Sequence, residues 1–547
     1  MARQGTQPTA DLSVMSAEVN TNPPLSTFQA GHASSILVIR SIQKCGLQEG
    51  KKATRPLIRI NGPFMMNSVI RRVCVITSLI GSAALSGFSP IISASATPAV
   101  TRPSDPVVLT GADAPSLIGR PPTRIIGLRW TGSAWQRRHV QIDERAVVNF
   151  ARIYGLLNAP TTSFYGSQPG LVNELVYTSG STWTGNDPDR LIDANDEIAF
   201  MARDGGLIAT GAPQPSGTAA GSGVEVRITD PLVPGSESYL YLFEKGTTGI
   251  LPGGSGPRYG SYKFTLLSGS YKSTYSRFGA ANPEDTLFKS STYTRHFSDR
   301  WLNDQIKITA PGASGVDILD RQKALFAPNT CVRSENTFNA TGVYGSAEGA
   351  FIVNKNGPVR SIRSYVGANS GPNTQRTHLF YDRREDIVTD LRVHSIGSIM
   401  DFFDYSPAAS GMTYRDSLNQ GGVTVDGVPD SLNTGEAAWE QLAGSQGTIT
   451  HVNNLTTSFA RTNTHYYLDD STPSDTQCTG DAFAYGSSGG YITSAIPCTD
   501  PGTGCSATLS TKRIIYYDAP GGDAVTALTY RSGVDTPVAA TATTWSP

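Results

Sequence analysis

From Arg124 onwards the sequence is a succession of short apolar runs that Gly, Pro, Asn and Asp interrupt. Runs of this length that are rich in β-branched and aromatic residues and bounded by such breakers are typical of strands. The clearest are RIIGLRW, ELVYT, EIAFMARD, VEVRITD, SYLYLFE, YKFTLL, IKIT, GAFIVN and RIIYYD. Their irregular spacing does not match a propeller or a solenoid. The pattern predicts an all-β chain with a large β-sandwich-type architecture of one or two β domains.

Three segments favour short helices within this β framework. Residues 143–158 place apolar side chains at helical spacing, and residues 318–326 do so over a shorter length. Residues 433–444 begin with residues that cap helices and end at Gly444, which favours a helix stop. We therefore expect a few short helices at these places.

Residues 66–96 have the three parts of a secretory signal peptide. Arg71 and Arg72 precede an uncharged apolar segment, and Ala94 and Ala96 have the small-x-small spacing of a cleavage site. Ser, Gly and Pro interrupt the apolar segment, so it would make a poor permanent membrane span. We expect a protein secreted to the extracellular space, with no membrane span in the mature chain.

The signal-like segment divides the chain. Residues 1–65 are polar and lack periodicity, which predicts a disordered or mis-assigned upstream extension. Residues 211–222 are rich in Pro, Gly and Ser, as linkers are. We therefore predict an N-terminal β domain over 97–215 and a larger C-terminal β-sandwich domain over 216–547.

Charge and cysteine content limit the partners and the compartment. Charged residues make up 16% of the chain and the net charge is −1, so no basic excess points to nucleic acid. Four cysteines follow the signal-like segment, an even number that suggests disulfides in an exported chain. Cys498 and Cys505 flank a short loop and are the first expected pair, which leaves Cys331 with Cys478. Free buried thiols are the alternative.

The segment TQRTHLFYDRREDIVTDLRVHS carries the first candidate site. If it forms a hairpin with its turn centred on Glu385, then Arg376 lies opposite His394 and His378 lies opposite Arg392. Two arginines and two histidines on one sheet face could bind an acidic ligand and transfer a proton. These four residues are the first catalytic candidates, and a solvated or internally salt-bridged sheet face is the alternative.

The segment YTRHFSDRWLND carries a second candidate site. His296 and Asp299 are candidate acid–base groups, because paired carboxylates and titratable side chains serve glycoside hydrolysis. Trp301 could stack on a sugar ring while Arg300 and Asp304 bind its hydroxyl groups. The alternative is an aromatic-anchored strand whose charges face water.

Two further segments contain acidic residues. Asp401, Asp404 and Tyr405 lie in a stretch broken by Gly and Pro, where a loop could bind substrate. Asp193, Asn195 and Glu197 lie in a cluster of acidic residues that resembles part of a calcium loop. Ca²⁺ is thus a candidate ligand and no other cofactor is expected, while an acidic turn and ordinary loop aromatics are the alternatives.

These features together favour a secreted carbohydrate-active enzyme that acts on an extracellular, acidic polysaccharide. Four Arg and His side chains converging in one groove would indicate a lyase, whereas two carboxylates facing across a cleft would indicate a glycoside hydrolase. The alternative is a non-catalytic extracellular glycan-binding or cell-surface protein, since no strong catalytic motif is present.

Overall fold

The computed structural model describes residues 100–150, 173–267, 283–326, 334–335, 350–368, 371–391, 396–473, 479–497 and 508–547. The predicted signal segment and the upstream extension lie outside these residues. So do Cys331, Cys478, Cys498 and Cys505, whose pairing stays a prediction. No helix among the described residues has the length and apolar character needed to cross a membrane.

Strands dominate the described part of the chain. They are β1 (Pro106–Thr110), β2 (Ile125–Trp130), β3 (Trp135–Arg138), β4 (Gln141–Asp143), β5 (Arg145–Asn149), β6 (Asn173–Tyr177), β7 (Glu197–Met201), β8 (Val224–Thr229), β9 (Glu237–Glu244), β10 (Ser261–Lys263), β11 (Thr286–Lys289), β12 (Tyr293–Phe297), β13 (Asn303–Ile308), β14 (Leu319–Phe326), β15 (Ala350–Asn356), β16 (Ser361–Ala368), β17 (Gly371–Phe380), β18 (Arg384–Leu391), β19 (Ile399–Tyr405), β20 (Thr413–Asp416), β21 (Val423–Thr424), β22 (Trp439–Gly444), β23 (Gly447–Thr457), β24 (Asn463–Asp470), β25 (Ala484–Ile492), β26 (Leu509–Asp518) and β27 (Ala539–Thr544).

Among the described residues, helical structure is limited to short elements. One α-helix, α1 (Ala524–Asp535), follows the long strand β26, and Asp523 caps it by accepting a hydrogen bond from Thr526 N–H. Single 3₁₀ turns occupy Gly111–Asp113, Pro115–Leu117, Pro122–Arg124, Ala202–Asp204 and Pro407–Ala409. The predicted all-β class is confirmed.

The three predicted helices are wrong wherever the structure describes them. Residues 145–149 form β5, residues 319–326 form β14, and residues 439–444 form β22. Each segment pairs with a neighbouring strand along its length, so tertiary pairing overrides a helical spacing that is only a few residues long. Residues 151–158 lie outside the described residues.

Two antiparallel sheets form the main sandwich. The larger sheet has nine strands in the order β15-β16-β17-β18-β26-β23-β22-β20-β21, and the smaller has the order β14-β19-β25-β24. Their facing sides share one hydrophobic cluster, to which the larger sheet gives Ile449 and Ile515 and the smaller sheet gives Phe403 and Tyr405. Burial of this apolar surface holds the two sheets together.

Strand β26 lies near the centre of the nine-stranded sheet and is buried on both faces. Ile515 and Tyr517 face the smaller sheet, whereas Ile514 and Tyr516 pack with Ala527 of helix α1. Two-sided burial explains why this strand has a continuous apolar run instead of strict alternation.

A second group of strands packs around its own core. Its sheets have the orders β27-β8-β9-β2-β3 and β1-β7-β4, and the first takes strands from both sides of residue 215. Trp545 follows the last strand and packs edge-on against Trp135 and Phe243, with ring centroids 5.6 and 5.3 Å away. The end of the chain therefore completes a sheet that begins near residue 125.

A further four-stranded sheet, β10-β11-β12-β13, connects to the nine-stranded sheet through a buried ion pair. Arg363 of β16 donates to both carboxylate oxygens of Glu284 at 2.8 and 2.6 Å, and neither side chain is exposed. The Arg363 guanidinium also lies 4.2 Å from the centre of the Phe297 ring. Because both charges are removed from water, each depends on the other.

We predict that Arg363→Met destabilises the protein by about 3–5 kcal/mol, since it leaves the Glu284 carboxylate buried without its cation. Chemical denaturation gives the change in free energy of unfolding. Arg227→Met is the control, because Arg227 is more than half exposed in its pair with Glu237 and should leave the unfolding midpoint unchanged. Equal midpoints for Arg363→Met and the unmodified protein would contradict the prediction.

Candidate functional site between the two sheets

The predicted β17–β18 hairpin exists, but its register differs from the prediction. Arg376 lies opposite Thr389 and His378 lies opposite Ile387, because the turn comes earlier than expected. A change of register changes every cross-strand partner. The predicted pairing of two arginines with two histidines is therefore wrong.

His378 is a buried structural residue and not a pocket residue. Its Nδ1 lies 2.8 Å from Glu385 Oε1, and its Nε2 lies 3.2 Å from the Tyr365 hydroxyl. Burial lowers the pKa of His378 to about 4, so the imidazole is neutral at pH 7. Arg392 and His394 lie outside the described residues.

A cavity of about 660 Å³ opens between the two sheets of the main sandwich. Strands β17, β18, β23 and β26 line one side, strands β19, β24 and β25 line the other, and helix α1 contributes Arg531. The polar lining residues are Arg376, Thr389, Asp401, Glu436, Asn453, Asn454, Thr456, Asn463, Thr464, His465, Tyr491, Thr511, Lys512, Arg513 and Arg531. Cationic side chains outnumber carboxylates there, which favours an anionic or hydroxyl-rich ligand.

A row of three residues crosses the smaller sheet on the cavity side. Asp401 of β19 lies opposite Gly490 of β25, and Gly490 lies opposite His465 of β24. Two strand spacings place the Asp401 and His465 backbones about 10 Å apart. A Cβ added to Gly490 would meet no heavy atom within 4 Å. The missing side chain therefore leaves an open floor between a carboxylate and an imidazole.

Two arginines of the nine-stranded sheet approach the carboxylate end of this row. Arg376 Nη2 donates to Asp401 Oδ2 at 2.8 Å, and Arg513 Nη2 donates to the Asp401 carbonyl at 2.6 Å. Burial raises the pKa of Asp401, but the two guanidinium charges outweigh it and hold the pKa below its usual range. Asp401 is therefore ionised and acts as a fixed anion.

Arg513 has one donor left for a ligand. Its Nη1 is buried, lies 3.7 Å from Asp401 Oδ1 and has no hydrogen-bond partner among the described residues. A buried cationic N–H group without an acceptor is costly, so an oxygen-bearing ligand or a water molecule would satisfy it.

His465 is held at the other end of the row by Glu440. Its Nε2 lies 3.0 Å from Glu440 Oε2 and 2.6 Å from the Tyr414 hydroxyl. Burial opposes ionisation of Glu440, but the charge of His465 and other cationic groups outweighs burial and lowers the pKa of Glu440. An ionised carboxylate next to one imidazole nitrogen orients the ring.

A second histidine lies deeper in the sandwich, next to the same carboxylate. His451 Nδ1 is 3.5 Å from Glu440 Oε1, and His451 Nε2 is 3.3 Å from the Tyr405 hydroxyl. Burial lowers the pKa of His451 to about 3, so this ring is neutral. Tyr405 is thus a buried neighbour of His451 and does not line the cavity.

The residues of the segment 293–304 do not line the cavity. His296 bridges Asp304 at 2.6 Å and Asp285 at 3.0 Å on the four-stranded sheet of β10–β13. Asp299 accepts a hydrogen bond from Arg300 N–H at 2.6 Å, and burial raises the pKa of Asp299 to about 6. The structure does not bring these groups together with Asp401.

Trp301 packs against Arg376 and does not line the cavity. Its Nε1 donates to the Gly367 carbonyl at 2.8 Å, and the Arg376 guanidinium lies 4.8 Å from the centre of its ring. The side chain is almost fully buried, so it orients Arg376 and does not offer a face to a sugar. Arg300 is also buried.

Asp404 points away from the cavity because residues alternate along β19. The sequence had suggested that this segment was a loop. Lys323 Nζ lies 2.5 Å from the Asp404 carboxylate, and burial raises the pKa of Asp404 to about 8 against the effect of that lysine. Asp320 and Asp481 lie close by, with carboxylate oxygens within 4.8 Å of one another. Lys323 already supplies a positive charge to this cluster.

The predicted calcium residues are engaged by other groups. Asn195 N–H donates to Asp193 Oδ1 at 2.8 Å, which is a local turn. The Glu197 carboxylate binds Arg145 and also Arg360, whose Nη2 lies 2.5 Å away. Calcium at this place stays a prediction that these contacts do not favour.

The sequence analysis missed four residues of the cavity and its support: Gly490, His465, Glu440 and Arg513. Glu440 lies in a segment that the sequence suggested was helical, and β24 and β25 have few β-branched residues to mark them as strands. Gly490 lies in the Gly-rich stretch GSSGG, for which the sequence analysis predicted no strand. Its position in the middle of a strand, where a missing side chain opens space, was the available signal.

Comparisons with known proteins give limited information. No protein-family model and no curated protein matches the sequence. An alpha-mannosidase from Enterococcus faecalis V583 is similar at 8% identity with a TM-score of 0.31, over 77% of this chain and 46% of the mannosidase. A candidate aldose 1-epimerase from Escherichia coli K12 is similar at 9% identity with a TM-score of 0.22, over 47% of this chain and 99% of that protein. At these TM-scores we base neither fold nor function on the neighbours.

We predict that the protein loses stability as the pH falls from about 6.5 to about 4, since His378 has a folded-state pKa near 4 and an unfolded value near 6.5. The unfolded chain then binds a proton that the folded chain excludes, so the free energy of unfolding decreases by about 3 kcal/mol from this residue alone. Denaturation curves at several pH values measure the slope, and His378→Gln should reduce it.

His296→Gln is the matched control. Burial lowers the pKa of His296, but Asp304 and Asp285 outweigh burial and raise it. The folded state therefore holds this proton more tightly, and the stabilisation is fully present below about pH 6.5, so His296→Gln should lower stability by a constant amount between pH 6.5 and 4 and leave the slope there unchanged. A pH slope unaffected by His378→Gln would contradict the assignment of His378 as a buried neutral ring.

Proposed function

We propose that the protein is an extracellular carbohydrate-active enzyme that binds an acidic sugar unit in the cavity between the two sheets and cleaves its polymer by β-elimination. The observation that carries the proposal is the row of Asp401, Gly490 and His465 beneath the Arg376 and Arg513 guanidinium groups. A uronate ring needs a fixed cation for its carboxylate, space for the ring and a base. This arrangement offers all three in one cavity.

The arginines would recognise the carboxylate of the sugar. Arg513 Nη1 is a buried donor without a hydrogen-bond partner among the described residues, and Arg376 lies beside it on the neighbouring row of the same sheet face. Guanidinium groups match carboxylate geometry and stabilise the negative charge that develops when the adjacent carbon loses its proton. Asp401 keeps both guanidinium groups in place when no ligand is bound.

His465 would transfer the proton. Its Nε2 contacts Glu440 and Tyr414, so Nδ1 is the nitrogen assigned to the substrate. The imidazole removes the proton from the carbon next to the carboxylate, that C–H electron pair forms the new C=C bond, and the C–O bond to the leaving sugar breaks. The proton held on His465 then passes to the leaving oxygen, which balances the reaction.

The carboxylates of the cavity favour elimination over hydrolysis. Its lining contains Asp401 and Glu436 as acidic residues. Asp401 is ionised between two arginines, and the exposed Glu436 lies 3.2 Å from Arg461. Hydrolysis needs a carboxylic acid with a raised pKa to protonate the leaving group, whereas the two arginines hold the pKa of Asp401 below its usual range.

The proposed location rests on the sequence of residues 66–96, which has the parts of a secretory signal. A secreted chain has access to acidic glycans that are extracellular polymers. The non-catalytic alternative, a glycan-binding or surface protein, predicts binding of the same polymers without new chain ends.

We predict that His465→Gln and Glu440→Gln each lower kcat by about 100-fold or more, because one removes the base and the other leaves it unoriented. The full chain is incubated with a uronate polymer, and the ultraviolet absorbance of unsaturated ends is followed together with total reducing ends. Elimination raises both signals, whereas hydrolysis raises reducing ends alone.

His296→Gln is the control for this experiment, because His296 does not line the cavity. It should leave kcat unchanged. A rise in reducing ends without unsaturated ends would contradict elimination. Binding without either signal across carboxylated polymers would contradict an enzyme and support the binding protein.

We predict that Gly490→Leu raises KM by at least about tenfold, because the new side chain projects between Asp401 and His465 and occupies the floor of the cavity. The same change should leave the thermal midpoint close to that of the unmodified protein, since the space around the Gly490 Cβ is open. KM for the uronate polymer and the unfolding midpoint measure the two effects.

Gly489→Ala is the contrasting variant for the stability of the fold. A Cβ at Gly489 would lie 2.5 Å from the Asp401 carbonyl oxygen, so this smaller change should destabilise the fold. If Gly490→Leu leaves KM unchanged, the sugar does not bind over this floor.

A further inference from the structure

A cluster of arginines lies on the hairpin of β2 and β3, away from the cavity. Arg129 and Arg138 project from the same face of the two paired strands, with Gln136 between them. Arg129 Nε and Nη2 donate to Gln136 Oε1 at 3.1 and 3.0 Å, and Arg138 Nη2 donates to the same oxygen at 3.0 Å. Two guanidinium groups therefore share one neutral acceptor.

A glycine-rich loop passes beside Arg138 and carries a third arginine. His139 Nε2 lies 3.0 Å from the Gly256 carbonyl, and the site of a Cβ on Gly256 would be 3.8 Å from Arg138 Cδ. Arg258 follows two residues later and donates to the backbone carbonyls and side chain of residues 356–357, all of which are neutral acceptors. We call Arg129, Arg138 and Arg258 the arginine patch.

The arginine patch lacks direct counter-charges. Among the described residues, none of its three guanidinium groups lies within 4.0 Å of a carboxylate, whereas most other arginines in that part of the chain do. The nearby Asp204 is buried, and its oxygens accept from the Tyr259 hydroxyl at 2.5 Å and from Met201 N–H at 3.1 Å. It is thus committed to neutral donors.

The like charges of the patch act on one another. Burial lowers the pKa of Arg129, and the charge of Arg138 lowers it further against the opposing effects of Asp204 and Tyr259. Burial also lowers the pKa of His139, with further lowering by Arg258 and Arg137 against the effects of the Gly256 carbonyl and Asp204. Like charges held together without an anion are costly, and a bound anion would relieve that cost.

We infer that the arginine patch is a second binding site, which takes the carboxylate or sulfate groups of an acidic glycan chain. Two planar donor groups that share one neutral acceptor, with a third arginine on the adjoining loop, fit the oxygens of such groups. The glycan identity of the ligand rests on the function proposed above, whereas its anionic chemistry follows from the patch itself. The patch would hold a polymer while the cavity acts on one of its units.

The test measures binding of the full chain to immobilised polygalacturonate, dextran sulfate and uncharged dextran at low ionic strength. The variant is Arg129→Gln with Arg138→Gln, and Arg129→Gln alone serves if the double variant unfolds early in a thermal scan. The control is Arg227→Gln, an exposed arginine on β8 of the same sheet that has Glu237 as its partner at 2.7 Å.

We expect the double variant to bind at least one anionic polymer about tenfold more weakly, with the control unchanged and no binding to dextran. Which polymer loses affinity identifies the carboxylate or the sulfate group. Unchanged affinity for both anionic polymers, or equal loss in Arg227→Gln, would overturn the inference. Binding is measured without following turnover, so failure of the elimination chemistry leaves this result standing and the two failures are distinguishable.

Discussion

Buried charge pairing on the inner face of the nine-stranded sheet is the constraint on which the rest of the molecule depends. Between the two sheets of a sandwich a charge is stable only beside its partner, because the interior offers little solvation. Arg363 has Glu284, and Glu385 has Arg295, whose Nη1 is 3.4 Å away, while the neutral His378 ring hydrogen-bonds the same carboxylate. Each pair joins residues from different strands and therefore fixes their register as well as their charge.

The cavity lies at the open end of this charged sheet face. Arg376 and Arg513 belong to the same sheet face as the fully enclosed pairs, but their carboxylate, Asp401, comes from the opposite sheet. The pairing between sheets therefore sets the width of the gap as well as the orientation of the donors. Groups held in this way need little rearrangement when charge develops on a ligand, which is the physical basis of electrostatic catalysis.

The sequence predicted the strand-rich fold but placed the site only in part. Strand signals are local, since each depends on a short run between breakers, and they identified β2, β7, β8 and β26 correctly. Arg376 was found because it follows an alternating pattern, and Asp401 was found as an acidic residue in an aromatic segment. The cross-strand partners expected for Arg376 were wrong, because a shift of the turn changes all pairings of a hairpin.

The remaining site residues depend on contacts that local patterns do not contain. His465 and Glu440 lie on different sheets, and their contact exists only after both sheets have formed. Glu440 is a charged residue on a fully buried strand position, where sequence patterns predict apolar residues. The helical spacing in residues 433–444 was real but short, and strand pairing outweighed it.

The pairing of β27 with β8 has a consequence for the order of events during folding. These partners are separated by more than three hundred residues, and Trp545 closes the aromatic cluster of the same sheet. Contacts between such distant segments form late, because the intervening chain must first be ordered. The central sandwich can thus form while this sheet still lacks an edge, and the sheet is complete only once residues 539–544 have paired with β8.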